Sequence, residues 1–355
     1  MLKEWVRFRE FYDVKPGLNN LYLPIKCTRV FIRYTTRLAG YSISQRIFLI
    51  ILRLLNYLDS ILDVSYITYL FKINTYRIGY REAMYKTGLP SSVNKKNEWA
   101  EYTIMHSKSM QARLNAKVYL SLLSRHGFYK NTSSYKQPII NPKLLTKSTN
   151  KKIYIYGPNA NNPPNPKYKD YLLVVLKPID FDLSDFKEKL LFVNGAYYLT
   201  KMVNDSELCS KLMDIYGRVI VSSLSTIDKP LEKAKFPMFG NIAAGQALAR
   251  VMYNLIYRYG SFTCVIEGFD FYLDNVMYAS YYPTLTREKD KVDEQIVCDA
   301  LADHDALFNF LYVKELCEYL NVNDSHDFKQ LYTKSGNWYL SKLQEVRNFE
   351  LLKNL

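Results

Sequence analysis

From residue 151 onward, short apolar runs alternate with longer segments of helical period, and that alternation constrains the fold more than any other feature of the chain. KIYIYG (152–157), YLLVVLKP (171–178), KLLFVNG (189–195), GRVIVSS (217–223) and FTCVIEGFDFY (262–272) read as strands. The second is almost continuously apolar, the pattern of a strand covered on both faces. NIAAGQALARVMYNLIYRYG (241–260) reads as a long helix closed by a glycine, and DALFNFLYVKELCEYL (305–320) as another. Strands separated by helices predict an α/β fold, a mainly parallel Rossmann-like sheet flanked by helices.

Parallel sheets bind ligands beyond the C-terminal ends of their strands, so the residues that follow each run carry the functional expectation. The first strand is followed by Gly157, Pro158, Asn159 and Ala160, the third by Asn194 and Gly195, and the fifth by Gly268, Asp270 and Tyr272. Phe239, Gly240 and Asn241 precede the long helix. Glycine permits close backbone approach, amides at a helix start suit an anion, and asparagine offers a donor and an acceptor together. The set makes a nucleotide pocket; each member alone is ordinary turn chemistry. Neither GxGxxG nor GxxxxGK[ST] occurs, which excludes the standard dinucleotide fingerprint and the P-loop.

The first 150 residues differ in kind. They hold 24 Lys and Arg against 8 Asp and Glu, a charge of +16, whereas the remaining 205 hold 48−24 = 24 against 34−8 = 26, a charge of −2. Such asymmetry points to an anionic partner. RIFLIILRLLNYLDSILD (46–63) carries one narrow polar stripe on an apolar helix, too interrupted to span a bilayer. It is either a buried core helix or an interfacial one set between basic flanks. Residues 97–126 also read as helix, and FYKNTSSYKQPIINPKLLTKSTN (128–150) reads as a linker, so the expected organisation is a mostly helical basic region over 1–150 and an α/β domain over 151–355. No RNP-like motif, zinc finger or clear helix-turn-helix glycine signature is present, and the charge is interleaved with long aliphatic runs, which favours a membrane or a core over a groove-reading face. The five cysteines are scattered without metal-like spacing, which fits buried thiols in a reducing compartment. The opening MLKEWVRFREFYDVK shows no secretory pattern, so the expected location is cytoplasmic, peripheral at the inner face of a membrane.

In order and content, the strand-end loops resemble those of the bacterial sialyltransferases of the capsule and lipooligosaccharide type. IYIYGPNA stands where that family has a Gly-Asn-Gly-Pro-Ser-like loop, and FVNGAYY where it has a strand ending in asparagine. FGNIAAGQALARVMYNLIYRYGSFTCVIEGFDFY stands for its small-residue helix entry, long helix and Gly-Ile-Asp-Phe-Tyr-like motif, followed by YASYYP and then DHDALFNFLYVKEL with its histidine. The likeness spans about residues 151–320. This chain departs from the pattern in lacking the second glycine and the serine of the first loop, in reading Phe239-Gly240-Asn241 at the helix entry, and in placing Asp303 before the histidine.

The resemblance implies an inverting glycosyltransferase that moves an acidic sugar, sialic acid or a Kdo-like one, from a CMP donor to a cell-surface glycan, with no metal and no other cofactor. His304 would be the general base. Gly157, Asn159, Asn194, Gly240, Asn241, Gly268 and Tyr272 would line the donor nucleotide, and hydroxyls of Tyr278, Tyr281 and Tyr282 would steady the leaving phosphate. Asp270 reads as a structural carboxylate, and the Asp180-Phe181-Asp182 triplet as a loop or cap rather than a metal motif. Two other readings stay open: a non-catalytic nucleotide- or glycan-binding protein on a degenerate transferase fold, and a nucleic-acid binder using the basic region.

Overall fold

The structure is a computed structural model. It describes scattered positions between 47 and 84, Leu301, and most of 88–130, 135–193, 205–221, 232–233, 246–273 and 305–346. The chain divides into two compact units, one of Met1–Ala116 with Phe349–Leu355, the other of Lys117–Asn348.

In the first unit, Leu89–His106 forms α1. Helix α2, Met110–Arg125, begins here and runs on into the second unit. Sequence periodicity makes 97–126 one helix. It breaks at Ser107, whose amide closes the last turn of α1 onto the Thr103 carbonyl at 3.0 Å, and restarts at Ser109, whose hydroxyl accepts from the Ala112 amide at 3.2 Å. Of the expected helix 46–63, only Ile47, Ile50 and Ile51 lie among the described residues, and they are helical.

The second unit is built on a sheet. Its elements are α3 (Pro142–Leu145), β1 (Ser148–Tyr156), β2 (Leu172–Val175), β3 (Glu188–Val193), α4 (Ser206–Tyr216), β4 (Val219–Val221), β5 (Glu232–Lys233), α5 (Ala247–Tyr259), β6 (Ser261–Glu267), α6 (Ala306–Glu318), β7 (Asn321–Val322), α7 (His326–Tyr332) and α8 (Gly336–Val346). The strands lie in the order β5-β4-β3-β2-β1-β6-β7, and every pairing is parallel. This is the expected α/β architecture. The sequence does not single out α4, which Asp205 caps through the Leu208 amide at 2.9 Å and Gly217 ends in the left-handed region.

Alternate residues of the central strands fill one core layer. Tyr154, Tyr156, Leu173, Val175, Leu191, Val193, Val219, Val221 and Val265 pack with Cys209, Leu212 and Tyr216 of α4. Truncating one of these leucines to alanine costs about 2–5 kcal/mol. The stretch 128–150, which reads as a linker, is instead part of this unit: Ile139 and Ile140 are buried, the Tyr312 hydroxyl donates to the Ile139 carbonyl at 3.2 Å, and 148–150 open β1. The strand expected over 262–272 ends at Glu267 because Gly268, Phe271 and Tyr272 all adopt positive φ (74°, 52° and 68°), so the GFDFY segment is a turn.

Candidate functional site

The sheet reverses direction at β1. From β1 the chain steps outward through β2, β3, β4 and β5, and then returns to lay β6 and β7 on the other side. The C-terminal ends of β1 and β6 therefore flank the topological switch point, where open parallel sheets form a ligand crevice.

Two loops meet there. The Gly157 amide donates to the Glu267 carbonyl at 2.8 Å, and the Ala160 amide reaches the Gly157 carbonyl at 3.4 Å. A Cβ on Gly157 would lie 2.3 Å from the Gly268 carbonyl oxygen and 2.5 Å from the Phe269 ring. A Cβ on Gly268 would lie 2.6 Å from the Ala160 nitrogen. The clearance that Gly157 provides is thus occupied by the second loop.

Below this clasp, tyrosines anchor the Asn/Pro tract. The Tyr156 hydroxyl donates to the Asn162 carbonyl, the Asn165 amide donates to the Tyr154 hydroxyl at 3.2 Å, and the Tyr154 hydroxyl donates to the Glu267 carboxylate. Burial, with the Glu267 charge behind it, pushes the Tyr156 phenol up to about 12. Burial and the bond to Glu267 raise Tyr154 as well. Both stay protonated donors at neutral pH. The alternation of tyrosine with isoleucine in IYIY was the available signal, since a hydroxyl on the covered face of a central strand requires a partner.

The turn after β6 is held just as firmly. Asp270 accepts from the Tyr272 amide at 3.1 Å, and its carbonyl accepts from the Leu273 amide at 3.1 Å. Phe271 is buried against Phe310, Phe328 and Tyr339, and its carbonyl accepts from the Tyr339 hydroxyl at 2.8 Å. Asp270 therefore serves the turn, and Tyr272 is carried on it, half-buried.

Two helix starts converge on the same level. Helix α5 passes through Gly260 directly into β6, so its N-terminus lies toward the C-terminal ends of the strands; α6 stands in the same relation to β7. They are tied together. The Gln246 amide donates to Asn309 Oδ1 at 2.7 Å, and Asn309 Nδ2 donates to the Asp305 carbonyl at 3.1 Å. Asp305, at φ 50°, caps α6 through the Phe308 amide at 3.0 Å and accepts from the Tyr119 hydroxyl at 2.9 Å. Asn309 and Tyr119 are invisible as site residues in sequence; a lone asparagine inside the apolar run ALFNFL is the only hint. Among the described residues, no side chain caps α5, whose first turn carries the half-buried Arg250; burial pulls that guanidinium's pKa down. Uncapped amides beside an arginine suit an anion.

Of the residues expected at the site, Gly157, Gly268 and Tyr272 are brought together at the switch point. Asn159, Asn194, Gly240, Asn241, Tyr278, Tyr281, Tyr282 and His304 lie outside the described residues. His304 directly precedes the anchored Asp305 in sequence. The Asp182 carboxylate is taken by the Ser184 amide at 2.9 Å in an exposed turn. Among the described residues, no group of three His, Cys, Asp or Glu side chains could hold a metal ion. No known family model, curated protein or solved structure matches the chain.

Proposed function

We propose that the α/β unit is an inverting glycosyltransferase that uses a CMP-linked acidic sugar, sialic acid or a Kdo-like one, and works without a metal at the inner face of a membrane. The observation that carries this reading is the convergence, at the switch point, of two interlocked glycine loops with the start of α5, which no side chain among the described residues caps. The donor phosphate would sit on the amides and the arginine of that first turn. His304 would take the proton from the acceptor hydroxyl as the hydroxyl oxygen attacks the anomeric carbon, while the bond from that carbon to the phosphate oxygen breaks and CMP departs. Tyr278, Tyr281 and Tyr282 would donate hydrogen bonds to the departing phosphate, and Asn159, Asn194, Gly240 and Asn241 would contact the nucleotide. Asp305, held on three sides, would fix the backbone that carries the base.

Calorimetry of the full chain against CMP, UDP and GDP comes first; binding of CMP alone is expected. CMP release from CMP-sialic acid and CMP-Kdo with a glycan acceptor follows. His304→Ala should slow release by about 10²–10⁴-fold with unchanged circular dichroism. Equal release by wild type and variant removes His304 from the mechanism, and absence of cytidine-nucleotide binding removes the reading altogether.

A further inference from the structure

Backbone strain in the second unit gathers at one level of the sheet. Among the described residues, the non-glycine residues with positive φ are Phe271 (52°), Tyr272 (68°) and Asp305 (50°). Such residues are rarely left-handed because the Cβ then crowds the backbone, and a bulky aromatic is the worst suited of all. All three lie at the level of the crevice, the first two in the turn that follows β6 and the third at the start of α6. Strain of this kind persists only where the surroundings enforce it, and it concentrates at functional sites.

The enforcement takes the same form in both places. The Tyr339 hydroxyl of α8 donates to the Phe271 carbonyl at 2.8 Å, and the Tyr119 hydroxyl of α2 donates to Asp305 Oδ2 at 2.9 Å. Both tyrosines are fully buried. Each is seated on α6: the Tyr339 ring lies 4.3 Å from that of Phe310, and the Tyr119 ring 5.2 Å from that of Phe308. Ring packing alone would hold these helices together. The hydroxyls add, in each case, a directed bond to a strained residue.

Beyond each clamped residue lies a group of the crevice. Phe271 is followed by Tyr272, half-buried on the turn. The Asp305 carbonyl receives Asn309 Nδ2 at 3.1 Å, and Asn309 Oδ1 receives the Gln246 amide at 2.7 Å, at the start of α5.

We propose that Tyr119 and Tyr339 are positioning residues of the nucleotide site. Tyr339 sets Tyr272 through the Phe271 carbonyl, and Tyr119 sets the first turn of α5 through Asp305 and Asn309. This rests on the reading of the crevice as a nucleotide site.

Tyr119→Phe and Tyr339→Phe keep the ring packing and remove one hydroxyl each. Calorimetry of the full chain against CMP should give a Kd about three- to tenfold higher for each variant, with the stoichiometry unchanged. A merely structural loss does the reverse: it lowers the fraction of competent molecules and leaves Kd alone. In CMP release from a CMP-sugar, KM for the donor should rise while kcat is retained. Tyr272→Ala and Tyr339→Phe/Tyr272→Ala should bind CMP alike, because the clamp acts through Tyr272. Amide hydrogen exchange should quicken at 268–273 in Tyr339→Phe and at 305–309 in Tyr119→Phe, whatever ligand the crevice takes. The assays need no bilayer, and among the described residues no helix is long and apolar enough to cross one. Unchanged exchange in those segments, or an unchanged Kd beside quickened exchange, overturns the inference and leaves the nucleotide reading in place. A wild type that binds no CMP removes both.

Discussion

Gly217→Ala and Gly268→Ala form a matched pair that isolates the clasp at the switch point. Both glycines have positive φ, 66° and 74°, so an alanine at either place meets the same left-handed penalty of about 1–2 kcal/mol. Both changes also stiffen the unfolded chain, which returns about 0.4–1 kcal/mol. The net cost common to both is therefore about 1 kcal/mol. The pair differs in space. The new Cβ at 217 meets nothing within 4 Å, whereas at 268 it lies 2.6 Å from the Ala160 nitrogen, 2.8 Å from the Ala160 Cβ and 2.9 Å from the Gly157 carbonyl oxygen. These are mostly backbone atoms that no rotamer change can clear. Relief requires the 157–160 loop to move, at the overpacking cost of about 1–3 kcal/mol. For a unit of this size that difference is about 2–12 °C in melting temperature. Thermal unfolding of the two variants, followed by circular dichroism under identical conditions, reads it directly. Equal melting temperatures would refute the interlock, because the shared φ penalty would then be the whole effect.

Three further outcomes follow from the same physics. Asn309→Leu, close in volume, leaves the Gln246 amide without its side-chain acceptor, while the Asp305 carbonyl keeps its bond from the residue 309 amide, and should cost about 1–3 kcal/mol in urea unfolding; a neutral variant would separate the two helix starts. Burial works to raise the Glu315 carboxyl, but hydrogen bonds from His126 and bidentate Arg125 outweigh it and hold the group below its ordinary value of 4.5. A depressed folded value means the stabilisation is complete above about pH 4.5 and is lost as pH falls through the lowered value. The stability gap between wild type and Glu315→Gln should therefore narrow on acidification, and a gap that does not change with pH would show that the carboxylate charge is irrelevant. Burial pushes the Cys264 thiol up to about 12 and raises Cys317 as well, so neither should be alkylated by iodoacetamide at pH 8 until the protein unfolds; rapid native labelling of either peptide would contradict their burial.

The parallel sheet was legible because its central strands are covered on both faces, and full burial leaves an almost unbroken apolar run such as LLVV. The edge strands β5 and β7 were not, since each is two residues long and leaves no period to detect. The GFDFY turn was read as a continuation of β6 because aromatic residues suit strands, yet the backbone turns at Gly268 and the aromatics serve a different cluster around Phe271. The 128–150 stretch looked like a linker from its Pro, Asn and Ser content, but the pair Ile139-Ile140 inside it is buried. Polar composition marks irregular backbone, and irregular backbone can still pack. At the site, sequence could place glycines after strands but could not tell which atoms they make room for, because that depends on contacts across about 110 residues, between Gly157 and Gly268.

That last point changes where binding energy at the crevice has to come from. A glycine after a strand is usually read as backbone cleared for a ligand, but here Gly157 and Gly268 clear each other, and the Gly157 amide is already bonded to Glu267. The first loop therefore offers a nucleotide little hydrogen-bonding capacity at that position. At the same level lies the first turn of α5, with no side-chain cap among the described residues; it carries Arg250, which already has an interaction of its own. If an anionic ligand binds at the switch point, its affinity should depend more on Arg250 than on the glycine loop. Arg250→Gln should weaken CMP binding by about tenfold, the scale of one charge-assisted contact, whereas Asn159→Ala should weaken it less. The reverse order in calorimetry would return the phosphate to the first loop and refute the assignment to α5.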